Sequence, residues 1–315
     1  MATKEEYSFQ SANGVTTIHG VKWTPDVEPI AVIQLVHGMV EYIERYTAFA
    51  EFLASKGFVV VGHDHIGHGH SMKSLDEAGY MYAKHPSDIM VEDIYTNYKM
   101  TQPQYDGLPY FILGHSMGSY MLRKFLCVHG NDVDKLSGAI VMGTGTEADG
   151  AIKAGLTVIN LIAKFKGENY RSTFVRDMTY GGPYKQYDCT GADPENSWLS
   201  KNVENVKAYY KDPYCTFVFP LQAYRGLVES TGYDNKMENI QKMRKSLPIF
   251  FVSGACDPVG NMGKGVQEAH DKFIEAGMED VEIKLYPNDR HEILNELDRE
   301  TVYNDIYQWM LSKMV

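Results

Sequence analysis

Apolar residues in this chain come in short, dense runs, each bounded by Gly, Pro or polar residues. They are IAVIQLV (30–36), FVVVG (58–62), PYFILG (109–114), LSGAIVMG (136–143) and LPIFFVSG (247–254). A strand covered on both faces has no side turned to water. Its sequence therefore loses the period-two alternation and reads as continuous Val and Ile. VEIKLYP (281–287) does alternate, as an edge or one-sided strand would. Helical stripes lie between the runs. RYTAFAEFLASKG puts Tyr46, Phe49, Ala50, Phe52 and Leu53 on one face and stops at Gly57. Met117, Met121, Phe125 and Val128 repeat at helical spacing, and NDIYQWMLSKM reads as an amphipathic C-terminal helix. Strand and helix in alternation predict a doubly wound α/β sheet. EEYSFQSANG and TTIHGVKW predict an antiparallel hairpin at its edge.

The rhythm breaks between residues 145 and 240. AIKAGLTVINLIAKF is a helix apolar on most sides, and Tyr-, Gly- and Asp-rich text follows it. No strand-like run returns before Leu247. The organisation predicted is a core of residues 1–144 and 241–315, with residues 145–240 inserted as a helical cap. The cap helix at 151–165 has two readings, burial against the sheet or contact with an acyl chain or lipid surface through Leu156, Ile159, Leu161 and Ile162.

Composition narrows the function classes. The net charge of −11 over 315 residues, with no basic run, argues against a nucleic-acid partner, which needs concentrated positive charge. The polar, acidic start MATKEEYSFQSANG lacks the apolar core of a signal peptide, and no apolar stretch is long enough to span a bilayer. A cytoplasmic location is the expectation. There, Cys127, Cys189, Cys215 and Cys256, which lack paired metal-ligand spacing, are expected as reduced structural thiols.

YFILGHSMGSYMLRKF (110–125) carries the chemistry. A strand that turns at once into a helix crowds its corner residue, and Gly114 and Gly118 relieve the crowding around Ser116. The serine then stands at a helix N-terminus, where free N–H groups favour developing negative charge. A serine hydroxyl needs a base to take its proton, and the base needs a third group to orient it. On such a sheet the acid and then the histidine follow the serine, each just past a strand. FFVSGACDPVGN supplies Asp257 and IKLYPNDRHEILNE supplies His291. Asp289 is too close in sequence to approach that ring from behind. The His115 ring is expected to point away from the hydroxyl, and His270 is expected on a helix surface. The oxyanion donors expected are the backbone N–H groups of Met117 and of Met39, in the turn LVHGMVEYIERY. Gly38, His115, Leu156 and Ile159 are expected around the substrate.

The segments VHGMVEYIERY, DHIGHGHS, GHSMGS, GACDPVG and RHEILNE together resemble the monoacylglycerol lipase and lysophospholipase-like branch of the α/β-hydrolases, of serine aminopeptidase S33 type. WLSKNVENVKAYYKDPYCTFVF is similar to the caps of bacterial members. The resemblance covers about residues 7–313. It implies an α/β-hydrolase fold and serine-dependent hydrolysis of small acyl esters without metal or cofactor, with Ser116, Asp257 and His291 as triad. It also implies that His63, His65, His68 and His70 belong to a structural loop shaped by Asp64, rather than to a zinc site. One departure stands out. Many relatives carry small residues where this chain has Met39 and Val40, which bears on substrate size. Two alternatives stay open: an amide, small-peptide or non-lipid ester substrate on the same triad, and a ligand-binding protein without catalysis.

Overall fold

The computed structural model describes residues 2–314. They form an eight-stranded sheet of β1 (Thr3–Gln10), β2 (Thr17–Thr24), β3 (Ala31–Val36), β4 (Phe58–His63), β5 (Tyr110–His115), β6 (Leu136–Met142), β7 (Ile249–Gly254) and β8 (Val281–Tyr286). The strand order is β1-β2-β4-β3-β5-β6-β7-β8. The β1–β2 and β2–β4 pairs are antiparallel and every other pair is parallel. The hairpin and the alternating strand lie at the two edges, as their sequences predict.

The helices are α1 (Thr47–Ser55), α2 (Pro86–Thr101), α3 (Met117–His129), α4 (Asp149–Lys166), α5 (Thr173–Thr179), α6 (Val203–Lys211), α7 (Leu221–Asp234), α8 (Met237–Ile240), α9 (Lys264–Glu275) and α10 (Arg299–Ser312). Alternate residues of the central strands feed two cores. Val32, Val59 and Ile112 pack into one, and Ile33, Val60, Phe111 and Leu113 into the other. This two-sided burial is what removed alternation from their sequences. Between β6 and β7 the chain adds α4 to α8, and α4 packs against α7. No described helix is long and apolar enough to cross a membrane.

Two expectations are corrected here. Val128 is exposed in the last turn of α3, whereas Leu122 and Leu126, outside the expected stripe, are buried. The reason is that α3 packs against β5, α2 and α7 at once, so most of its circumference is covered. His270 is buried rather than at the surface. It lies on the face of α9 turned to β7, with its ring 6.1 Å from that of Phe251.

Candidate active site

Ser116 joins β5 to α3 with φ 53° and ψ −121°, a backbone conformation that costs a non-glycine residue roughly 1–3 kcal/mol. Its N–H is held by Met142 O at 2.9 Å. The flanking glycines are needed for space. A Cβ on Gly118 would come within 2.2 Å of Val36 O, and one on Gly114 within 2.4 Å of Gly118 O. As the first residue of α3, Met117 has an N–H with no acceptor inside the helix.

The strands β5, β7 and β8 run parallel, so the segments leaving them emerge on one edge of the sheet. Asp257 lies in the turn after β7, fully buried, and accepts from Val259 N at 2.9 Å and Ser253 Oγ at 3.3 Å. His291 lies after β8, and its Nδ1 is 2.9 Å from Asp257 Oδ2. A carboxylate can only accept, so Nδ1 carries the proton and Nε2 is left as the basic nitrogen. Ser116 and His291 line one cavity of about 540 Å³, within the usual range for a small-molecule site.

The cavity's other walls come from two places. Met39, Val40 and Glu41 enter from the turn after β3; Tyr180, Trp198, Tyr209, Tyr210, Phe217 and Phe219 enter from the segment between β6 and β7. His37 bridges the first of these walls. Its Nε2 accepts from His65 N at 2.9 Å, which leaves Nδ1 to donate to Gly38 O at 2.8 Å. Because a peptide is planar and trans, pinning the Gly38 carbonyl fixes the direction of the Met39 N–H.

A buried charged network, which no sequence motif announced, underlies the site. Glu41 accepts from Gly38 N at 2.5 Å, from Tyr46 OH at 2.8 Å and from Arg45 at 2.8 Å. Arg45 also clasps Glu292 with two bonds of 2.7 and 2.8 Å. His115 faces acceptors on both sides, with Glu41 Oε1 at 3.2 Å from Nδ1 and the His291 carbonyl at 3.2 Å from Nε2. Burial lowers the basicity of His115, but Glu41 outweighs it and raises the group above an ordinary imidazole. Burial likewise opposes the charge of Glu41, and His115 and Arg45 hold it well below the usual carboxylate range. The i,i+4 spacing of Glu41 and Arg45 was the one available hint; Glu292 had no signal beyond its place next to His291.

Other expected residues fall differently. His115 lines the cavity, its ring 4.6 Å from that of His291. Gly38 sits at the turn, where a Cβ would come within 3.0 Å of Ser116 Cβ. Leu156 and Ile159 do not line the cavity. They lie on α4, where Ile159 is buried in the core and Leu156 half-buried, because that helix turns its apolar side to α7. Asp289 pairs with Lys201 at 2.7 Å. His63, His65 and His68 are buried, and burial drives their imidazoles down, His63 and His68 to about 3. Asp64 accepts from Ile43 N and His70 N, both at 2.8 Å, and so builds the loop. Among the described residues no group of three or more His, Cys, Asp or Glu side chains is placed to hold a metal. The four cysteines are unbridged, and Cys189 and Cys215 line the cavity.

The chain resembles known proteins over most of its length. The chain is 26% identical to a monoacylglycerol lipase of Mycolicibacterium smegmatis across 99% of both chains. It is 26% identical to the human monoglyceride lipase, over 91% of this chain and 84% of that one. A solved structure of a highly thermostable carboxyl esterase from Bacillus coagulans, in complex with glycerol, superposes with a TM-score of 0.90 at 30% identity, covering 100% of both chains. The family described as serine aminopeptidase, S33, matches residues 27–298. The chain therefore belongs to the serine aminopeptidase S33 family and has the α/β-hydrolase fold.

Proposed function

We propose that this protein hydrolyses carboxylic esters of small acyl substrates, monoacylglycerols or lysophospholipids above all, through an acyl-enzyme on Ser116. The observation that carries the reading is the His291–Asp257 pair, oriented by a 2.9 Å hydrogen bond, on the wall of the cavity that also holds Ser116. Ser116 Oγ attacks the ester carbon while its proton passes to His291 Nε2, and Asp257 stabilises the imidazolium. The N–H groups of Met39 and Met117 receive the oxyanion. His291 then protonates the departing alcohol and later takes a proton from the water that releases the acid. Residues 145–240 act as the cap, and its aromatic wall suits an acyl chain better than a charged group. Replacing Ser116 by Ala should lower ester turnover by on the order of 10⁴-fold or more and abolish labelling by a fluorophosphonate. Turnover surviving in that variant would exclude Ser116 as the nucleophile.

An aminopeptidase reading needs a carboxylate for the substrate's free ammonium. The carboxylates on the cavity wall are already paired, Glu41 and Glu292 with Arg45 and Asp177 with Arg176. Esters are therefore favoured over peptides. Nitrophenyl esters of increasing length, set beside amino-acid nitroanilides, rank the two directly. The cap also meets a lipid surface on this reading. Leu161 and Phe165 on α4, and Phe174 and Met178 on α5, are 58%, 76%, 60% and 48% exposed. Because α5 also lines the cavity through Arg176 and Asp177, those apolar groups border the route of an acyl chain.

A further inference from the structure

The cap segment around WLSKN is bound to the segment after β8 that carries His291 far more tightly than a movable roof requires. Glu292 N–H donates to Leu199 O at 2.8 Å. Asn205 Nδ2 donates to Glu292 Oε2 at 2.7 Å and Asn202 Nδ2 to Asn295 O at 3.0 Å. Lys201 Nζ pairs with Asp289 at 2.7 Å. The backbone N–H groups of Lys201 and Arg290 converge on the Glu296 carboxylate at 3.1 and 3.0 Å. The Arg290 guanidinium closes the set on the carbonyl of Ser197. Residues 197–205 and 289–296 thus form one hydrogen-bonded block.

At its centre the Trp198 indole lies over the His291 imidazole, with ring centroids 5.0 Å apart and planes 29° from parallel. Trp198 is itself packed against the rings of Tyr184, edge-on at 5.4 Å, and Tyr180, tilted at 6.2 Å. The bond to Asp257 fixes one atom of the His291 ring but leaves the ring free to swing about it. A flat partner across its face removes that freedom. The same face carries partial negative charge and attracts a cation in a water-poor site. His291 becomes a cation in each half-reaction, close to the His115 ring, whose two nitrogens both face acceptors.

We propose that Trp198 is a positioning residue for the reaction: its indole fixes the plane of the His291 ring and stabilises the imidazolium formed when Ser116 loses its proton. This rests on the Ser116–His291–Asp257 reading. The cap then has two parts, with 197–205 a fixed portion of the catalytic apparatus and any lid motion confined to other parts of the cap.

The test compares Trp198→Leu and Trp198→Phe with the unchanged protein on nitrophenyl acetate and nitrophenyl decanoate. The Leu variant should lose about tenfold in kcat, by the same factor for both esters, with KM for the acetate unmoved. Fluorophosphonate labelling of Ser116 should slow by a like factor. The Phe variant, which keeps a π face, should recover most of the rate. The proton NMR signal of the hydrogen-bonded His291 Nδ1–H should persist in the Phe variant and broaden in the Leu variant. A defect confined to KM, or to the decanoate, would make Trp198 a wall of the acyl site and overturn the proposal, as would an unchanged kcat. Should the Leu variant misfold, the kcat of the Phe variant and of Trp198→Tyr decides. A loss there equal to that of a non-aromatic Trp198→Met variant removes the role of the ring face. In each overturning case labelling of Ser116 in the unchanged protein leaves the nucleophile assignment standing; absence of that labelling sinks both.

Discussion

At the scale of single residues, the site is built from positions that are unfavourable for folding. Ser116 has φ 53° and is not a glycine. Val40, a β-branched residue on the cavity wall, has φ 55°, where left-handed geometry costs an L-residue roughly 1–2 kcal/mol. Strain of this kind persists only where the surroundings over-determine it. A direct consequence can be measured. Ser116→Ala removes the hydroxyl but keeps a Cβ in the strained conformation, whereas Ser116→Gly removes both. Both variants should be inactive, and the Gly variant should be the more stable by about 1 kcal/mol. Denaturant unfolding of the pair checks this, and a Gly variant less stable than the Ala variant would show that the elbow is not strained. The sequence pointed to Ser116 through its two glycines. It marked Val40 for its bulk but had no means of pointing to its left-handed backbone, since nothing local forbids valine in an ordinary turn.

At the scale of elements, the contact between α3 and α7 encloses an acid with no hydrogen bond to its carboxylate. Asp234 ends α7, is 1% exposed, and neither carboxylate oxygen has a hydrogen-bond partner among the described residues. Arg123 of α3, also buried, donates to its carbonyl at 3.2 Å instead. Burial, only partly offset by Arg123 and Lys124, pushes the Asp234 carboxyl up to about 8. Between roughly pH 4, where an unfolded Asp titrates, and pH 8, the folded chain holds a proton that the unfolded chain has released. Its stabilising effect is therefore complete at low pH and is lost as the pH rises through that window. Asp234→Asn has no such dependence. Relative to the unchanged protein, the variant should gain about 1.4 kcal/mol for each pH unit between pH 5 and 8. Urea unfolding at several pH values measures it, and parallel stability curves would refute it. The periodicity of α3 marked Met117, Met121 and Phe125 as core, which they are. It missed Leu122 and Leu126 because a one-stripe pattern assumes a single covered face, and α3 is covered by the sheet, by α2 and by α7.

At the scale of the whole molecule, charge and surface pull in different directions. A chain of net charge −11 is repelled by an anionic membrane, while exposed Leu161 and Phe165 favour insertion into any lipid surface. Apolar burial of two such side chains contributes roughly 3 kcal/mol or more. The protein should therefore bind zwitterionic phosphatidylcholine vesicles more tightly than anionic ones. The double variant Leu161→Ser, Phe165→Ser should bind at least tenfold more weakly and hydrolyse soluble nitrophenyl acetate at the original rate. Equal sedimentation of both proteins with vesicles would remove α4 from lipid contact. The layered sheet, the strand-to-helix turn at Ser116 and the family were legible in the linear text. Buried strands, obligatory glycines and strand-to-loop spacing are local consequences of backbone sterics and hydration, and each leaves its mark within a few residues. The partners of the site were not legible. Arg45, itself paired with Glu41, reaches Glu292 only because the loops after β3 and β8 leave the same edge of the sheet, and Trp198 reaches His291 only because Lys201, Asn202 and Asn205 fasten residues 197–205 to that loop. Contacts between segments so far apart along the chain depend on how strands order and how an insertion folds back. Those are decided by packing in three dimensions, and no short stretch of sequence encodes them.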